Sequence, residues 1–117
     1  MSARRYEQGV RGEEIALAYL TEKGMRELAR RFRRGDGEID LVMADGETVV
    51  FVEVKYRPLG RRGDGLMAVT LSKQRRMVHT AQAYLVEHHL LDRLARFDVV
   101  EITADGPLHI PNAFWPL

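Results

Sequence analysis

The chain has 117 residues and a formal net charge of +1, with 18 Lys and Arg against 17 Asp and Glu. This length suffices for one domain with a real core but not for two. The absence of cysteine excludes disulfides and thiolate metal sites and favours a reducing, cytoplasmic location. We expect no membrane span, because no apolar run approaches ~20 residues. We also expect no secretory signal, because no apolar segment follows the two arginines near the start.

The first predicted element is a helix from about Gly9 to Lys23, with Gly24 as a typical stop. One face carries apolar residues at helical spacing: Ala16, Leu17 and Leu20. Glu13 precedes these residues by three, four and seven positions, so it shares their face. A glutamate that points inward needs a partner. The alternative is a partly exposed glutamate at the edge of the apolar face.

Two strands joined by a tight turn are predicted further along the chain. Leu41–Met43 and Val49–Val54 are rich in branched and aliphatic residues, and the Asp45-Gly46 pair between them favours a hairpin. With a loop symmetric about that pair, three pairs of residues oppose each other: Ala44 and Glu47, Asp40 and Phe51, and Glu38 and Glu53. An odd-length loop or a bulge would change this register.

Strand side chains alternate between faces, so this register divides the hairpin into two sets. One face is expected to carry Glu38, Asp40, Phe51, Glu53 and Lys55, and the other Ile39, Leu41, Val50, Val52 and Val54. Asp40 and Glu53 become diagonal neighbours, with backbones roughly 7–8 Å apart, within reach of one ion. Crowded carboxylates need a positive neighbour. Lys55 is one candidate, and Mg²⁺ or Mn²⁺ is another, favoured over zinc by oxygen ligands. The alternative is a half-solvated face whose charges pair across the strands.

The second half of the chain is predicted to contain a loop, a long helix and a strand. Pro58–Gly65 is expected to be a mobile loop beside the carboxylates, which closes over a bound backbone or merely connects. The helix runs from about Thr70 to Leu90, with Thr70 as its N-cap. Gln74 lies at the site-facing end of its buried side. There its amide could orient a water or a phosphate, or simply bond to nearby backbone.

The final predicted strand is Phe97–Ile102, which extends the sheet by a crossover from the long helix. Two prolines in the tail that follows exclude a regular element in this interpretation. We expect Phe114 and Trp115 in that tail to cover an edge of the core.

Basic residues bracket the acidic hairpin, although the net charge alone argues against a strongly electrostatic nucleic-acid binder. They fall into three groups: Arg30, Arg31, Arg33 and Arg34 before the first strand, Arg57, Arg61 and Arg62 after the second, and Lys73, Arg75 and Arg76 at the start of the long helix. A phosphate-bearing substrate would meet positive flanks around an acidic centre. The alternative is that these residues only solvate the surface.

The spacing of Asp40 and Glu53-Val54-Lys55 resembles the D…(E)xK signature of the restriction-endonuclease-like, or PD-(D/E)XK, nuclease superfamily. Five blocks in order resemble the YraN family of small bacterial endonuclease-like proteins: Gly9 with Gly12-Glu13 and Ala16, Gly37–Leu41, Phe51–Lys55 with Arg57, Val69-Thr70 with Lys73-Gln74, and Arg96–Val100. One departure is Arg31, where the family more often has asparagine. The resemblance spans nearly the whole chain.

The resemblance implies a single α/β domain over residues 1–117, with a mixed sheet flanked by helices in the order α-β-β-β-α-β. Met25–Arg33, which lacks strict alternation, is then the first strand. The implied activity is metal-dependent hydrolysis of DNA phosphodiesters. Its residues are Asp40, Glu53 and the Val54 carbonyl for Mg²⁺ or Mn²⁺, Glu13, Lys55 and Gln74 for catalysis, and Arg33, Arg57, Arg61, Arg62 and Lys73 for nucleic acid.

A nucleic-acid-binding module of the same fold without turnover is the alternative function. Intact Asp, Glu and Lys positions argue against decay of an active site, but the same residues would also suit a structural ion. The sequence leaves open whether the substrate is RNA, a linear duplex or a branched or damaged DNA, and whether two copies form a homodimer.

Overall fold

The computed structural model describes the backbone of residues 3–114 and the side chains of residues 7–65 and 68–114. Its elements are α1 (Ala3–Glu22), β1 (Arg26–Arg34), β2 (Gly37–Asp45), β3 (Thr48–Tyr56), α2 (Asp64–Met67), α3 (Leu71–Glu87), β4 (Ala95–Thr103) and β5 (Gly106–Phe114). Within residues 3–114, no helix is both long and apolar enough to cross a membrane.

The five strands form one mixed sheet in the order β1-β2-β3-β4-β5. The pair β3 and β4 is parallel, and the other neighbouring pairs are antiparallel. The parallel pair is joined by α2 and α3, as a parallel connection requires a long crossover. This confirms the predicted α/β class, a restriction-endonuclease-like arrangement of a mixed sheet flanked by helices.

Apolar residues are buried on both faces of the sheet. On one face, strand residues such as Val42 and Phe51 pack with Met77 and Tyr84 of α3. The opposite face packs against α1, in a second cluster that includes Ala16, Leu20, Leu41, Val50, Val52 and Val100. The sequences of the central strands are accordingly nearly continuous apolar runs, which is typical of strands that are covered on both faces.

The β2–β3 hairpin forms as predicted, but its register differs by two from the expected one. Asp45 pairs with Thr48, and Val42, not Asp40, pairs with Phe51. The turn is therefore centred one residue later than predicted, and Asp45 is still paired as part of β2. Gly46 adopts the left-handed backbone conformation (φ 58°). Because the shift is even, it leaves the alternation of side chains along β3 unchanged.

Ile39 contradicts the predicted division of faces, because it packs in the same cluster as Phe51 while Leu41 joins the α1 side. The cause lies in the neighbouring strand. Arg31 of β1 has a φ of 50° and lies between the pairs Arg30 with Leu41 and Phe32 with Ile39. A left-handed residue within a strand breaks the regular alternation, and Asn tolerates that conformation better than Arg.

The tail prediction was wrong, because residues 106–114 form the strand β5. Pro111 lies between the pairs Val99 with Ile110 and Phe97 with Phe114, where the register shifts, and β5 lies at the edge of the sheet. Proline is tolerated at bulges and along an edge, where no second neighbour needs its amide. Phe114 is buried and stacks on Phe97, so it covers the core edge as expected. Trp115 lies outside the described residues.

Asp98 of β4 is fully buried, yet it is fully engaged by its neighbours. Its carboxylate accepts hydrogen bonds from Arg96 (3.1 Å), His109 (2.7 Å) and the backbone amide of Asn112 (3.1 Å). Burial raises the pKa of this carboxyl, but the His109 and Arg96 hydrogen bonds outweigh it, so the pKa is lowered overall. This acid ties β5 to β4 and belongs to the scaffold.

Candidate active site

The two predicted carboxylates meet where β2 and β3 separate. The regular ladder between these strands runs from Asp45 with Thr48 to Leu41 with Val52. Beyond it, Oδ2 of Asp40 accepts a hydrogen bond from the backbone amide of Val54 at 2.8 Å. An aspartate side chain thus takes the place of a backbone acceptor, which fixes its carboxylate beside β3.

Asp40 and Glu53 together line two cavities, one on each side of the sheet. The cavity on the α1 side has a volume of about 260 Å³, and the one on the α3 side about 160 Å³. Both exceed the ~30 Å³ share of one water several times over. The first is completed by Gln8, Gly9, Glu13, Val54 and Tyr56, and the second by Asp36, Gly37, Glu38, Lys73, Arg76 and Met77.

Two glycines let the helices approach the strands that carry the carboxylates. A Cβ on Gly12 would lie 2.8 Å from Cβ of Tyr56, so α1 packs directly on β3. A Cβ on Gly37 would lie 2.0 Å from Oγ1 of Thr80, so the start of β2 touches α3. Both distances are below ordinary van der Waals contact, and larger residues at these positions would push the helices away from the site.

Glu53 is the central group of the site. Its side chain is only 4 % exposed, and Oε1 lies 2.7 Å from Nζ of Lys73 and 3.7 Å from Nζ of Lys55. Oε2 is buried and has no hydrogen-bond partner within the described part of the chain. A buried carboxylate oxygen without a partner costs free energy, so this atom points to a ligand.

The pKa values around Glu53 reflect this crowding. Burial, and then the negative charge of Glu53, raise the pKa of the Asp40 carboxyl well above its ordinary value, and the Val54 amide offsets this only in part. Burial lowers the pKa of Lys55 against the attraction of Glu53. Burial also lowers the pKa of Lys73, but its contacts with Glu53 have the larger effect, so the pKa is raised overall. Like charges and desolvation together are typical of functional sites.

The donor set fits a hard divalent ion bound in part by water. Across residues 3–114, no three His, Cys, Asp or Glu side chains are grouped to hold an ion by themselves. Mg²⁺ usually keeps several waters and takes one or two carboxylates plus substrate phosphates. Asp40 and the unpartnered oxygen of Glu53 supply such a pair.

Glu13 and Gln74 lie near this centre but are engaged by other groups. Glu13 lines the α1-side cavity, and its Oε1 accepts a hydrogen bond from Nε of Arg31 at 2.8 Å. Gln74 donates its amide to the carbonyl of Val69 at 3.1 Å, as in the backbone-bonding alternative. Their catalytic roles stay predictions.

The predicted nucleic-acid residues divide into exposed arginines and a lysine within the site. Arg57, Arg61 and Arg62 are exposed on the segment after β3, and the exposed Arg33 lies 3.4 Å from Glu38. Lys73 instead lines the α3-side cavity and pairs with Glu53. Its placement at the carboxylates was not anticipated from the sequence.

Glu101 is a buried residue that sequence reasoning missed. It is 0 % exposed, lies opposite Lys55 in the β3–β4 ladder, and accepts hydrogen bonds from the Gly63 amide on both oxygens at 2.8 Å. A Cβ on Gly65 would lie 3.0 Å from Glu101 and 3.1 Å from Cβ of Lys55. The end of the Pro58–Gly65 segment is therefore fixed over Lys55. A lone glutamate in the apolar run of β4 was the available signal.

The chain matches the family model described as "Uncharacterised protein family UPF0102" over residues 12–102. It belongs to the UPF0102 family. Similar UPF0102 proteins come from Geobacter metallireducens (45 % identical, covering 97 % of each chain), Geobacter sulfurreducens (48 %, covering 91 % of this chain and 87 % of the relative) and Alkalilimnicola ehrlichii (45 %, covering 92 % and 86 %). These matches confirm the family resemblance inferred from the motifs, which spans nearly the whole chain.

Proposed function

We propose that this UPF0102 protein is a divalent-metal-dependent nuclease that hydrolyses phosphodiester bonds in DNA. The observation that carries the proposal is the unpartnered, buried Oε2 of Glu53 beside Asp40, with two ammonium groups on the other oxygen. Carboxylates that hold an ion next to cations that face a phosphate are what this reaction needs.

Asp40 and Glu53 would hold Mg²⁺ or Mn²⁺, with the Val54 carbonyl as a further ligand. When bound, the ion supplies Lewis-acid polarisation of the phosphate and activates the attacking water. Lys55 orients that water and stabilises the negative charge that develops on the phosphate oxygens. Glu13 adds negative charge at the α1-side cavity, and Gln74 assists by holding the first turn of α3 through Val69.

Exposed arginines on either side of the site would hold the DNA backbone. Arg57, Arg61 and Arg62 follow β3, and Arg33 lies near the end of β1. Their attraction for phosphates is independent of sequence and depends on salt. We therefore propose recognition of DNA structure, such as a branch or a damaged site, before recognition of base sequence. The proposed location is the cytoplasm, and a homodimer is a testable option by size measurement.

The experiment is cleavage of a substrate panel by purified protein with Mg²⁺ or Mn²⁺. The panel comprises linear, nicked, flapped and four-way branched DNA, with RNA of the same sequence. Asp40→Asn, which keeps the shape of the side chain and an acceptor for the Val54 amide, is the matched control. We expect cleavage by the wild type that is lost in EDTA and in the variant. Tight binding by both proteins without cleavage by either would instead favour the binding-module function.

A further inference from the structure

Lys73 binds the same carboxylate that would hold the cation, through its other oxygen. Its Nζ lies 2.7 Å from Oε1, a full 1.0 Å closer than Nζ of Lys55. This is the distance of a strong charge-assisted hydrogen bond. Lys73 and Glu53 come from α3 and β3, so the contact is built by the packing of the helix on the sheet.

Glu53 already faces two ammonium groups without any added ion. Lys55 and Lys73 both approach its Oε1, and Arg31 pairs with the nearby Glu13. A divalent ion held by the Glu53 carboxylate would lie beside the Lys73 ammonium, and the two positive charges would repel. Ion binding and the Lys73–Glu53 contact therefore oppose each other.

Of the two lysines at Glu53, Lys73 is the one whose ammonium group is freer to move away. Its side chain is 30 % exposed and lines the α3-side cavity, from which it can swing toward solvent. Lys55 is 18 % exposed, and its stem lies under Gly65. Rotating Lys73 requires only side-chain torsions in the first turn of a helix, whereas the segment above Lys55 restricts the base of its side chain.

We propose that Lys73 is a built-in competitor of the divalent ion, which binds Glu53 until the ion displaces its ammonium group. This inference rests on the cation site of the proposed function. It adds that the Lys73 ammonium group lowers the affinity of that site for the divalent ion. A lysine with only a structural role predicts the reverse, because removing it would loosen Glu53 and weaken ion binding.

The test is the affinity for Mn²⁺, measured by the electron paramagnetic resonance signal of the free ion. We expect Lys73→Met to bind Mn²⁺ at least ~10-fold more tightly than the wild type, since one opposing unit charge is removed. Lys73→Arg, which keeps the charge, should stay near the wild-type affinity. Unchanged or weaker binding by Lys73→Met would overturn the inference.

Asp40→Asn separates this inference from the proposed function. If Asp40→Asn abolishes Mn²⁺ binding in the wild-type background and Lys73→Met gives no gain, the cation site stands and the competitor role is wrong. If Asp40→Asn leaves Mn²⁺ binding unchanged, the ion binds elsewhere and the proposed site fails as well.

A measurement on the wild type covers the case in which Lys73→Met does not fold. The chain has three lysines, Lys23, Lys55 and Lys73, so ¹³Cε-labelled lysine gives a simple NMR spectrum that lysine-to-arginine variants assign. Mg²⁺ should shift the Lys73 signal most, and Lys23, which contacts His109 at the far end of α1, should not respond. A static Lys73 signal while the Lys55 signal titrates would refute displacement.

Discussion

Lys55 separates catalysis from binding in the proposed reaction, and Lys55→Met is the perturbation that isolates its ammonium group. The stem of Lys55 lies under Gly65, and methionine keeps that packing. Glu53 keeps its 2.7 Å contact with Lys73, so the carboxylate retains a partner. We therefore expect a loss in free energy of unfolding below ~1.5 kcal/mol, small enough for the variant to fold.

The expected loss in cleavage is much larger than the loss in binding. An ammonium group aimed at developing charge acts mainly in the transition state, and removing one such group costs about 10²–10³ in rate, or ~2.7–4 kcal/mol. DNA affinity should fall only several-fold, because the exposed arginines still contact the backbone. The salt dependence of binding should weaken by about one phosphate contact at most.

The assay is single-turnover cleavage at saturating protein, beside DNA binding measured in Ca²⁺. Lys23→Met is the matched control, because it removes the same charge at a position away from both cavities and should cleave like the wild type. A Lys55→Met rate equal to the wild-type rate would remove the proposed role of this residue. An equal loss of cleavage and binding would place Lys55 among the binding residues instead.

Three further predictions concern the carboxylates and the scaffold. Mg²⁺ at about 100 times its dissociation constant should add ~2.7 kcal/mol to folding and raise Tm by roughly 10 °C, and differential scanning calorimetry should show no such rise for Asp40→Asn. Glu101→Ala should lower the free energy of unfolding in urea by about 2–4 kcal/mol, because it leaves a cavity and an unpaired Gly63 amide. Hydrogen exchange at the Gly63 amide should also become faster. Arg31→Asn should be more stable than Arg31→Ala by about 1 kcal/mol in the same urea assay, because both lose the Glu13 contact but asparagine suits the left-handed backbone.

Each of these has a result that would contradict it. An equal rise in Tm for wild type and Asp40→Asn would mean that the ion binds away from the site. Glu101→Ala within ~1 kcal/mol of the wild type would show that the Gly63 contact contributes little, and Glu101→Gln is its shape-matched control. Equal stability of the two Arg31 variants would mean that the backbone at this residue is not strained.

The acidic half of the site was predictable because it depends on one hairpin. Asp40 and Glu53 lie 13 positions apart in the sequence, and an Asp-Gly turn between two apolar runs brings their strands together whatever the rest of the fold does. Even an error of two in the register kept Glu53 on the expected face of β3, because the side-chain period is two. Ile39 changed face for a reason outside the hairpin, the left-handed backbone of Arg31 in the adjacent strand.

The basic half of the site depends on how α3 packs on the sheet, and no local sequence pattern determines that packing. The Lys73–Glu53 contact exists only because the first turn of α3 lies at the end of β3. Gly37 helps to set that position, since any Cβ there would strike Thr80 at 2.0 Å and hold the helix away. The Thr70 side chain caps the same turn through the Lys73 amide. A helical pattern predicts which face of α3 is buried. The position of Lys73 along the sheet is instead set by tertiary packing. The sequence therefore points to the two carboxylates proposed to hold an ion, and the packing of α3 brings Lys73 to one of them.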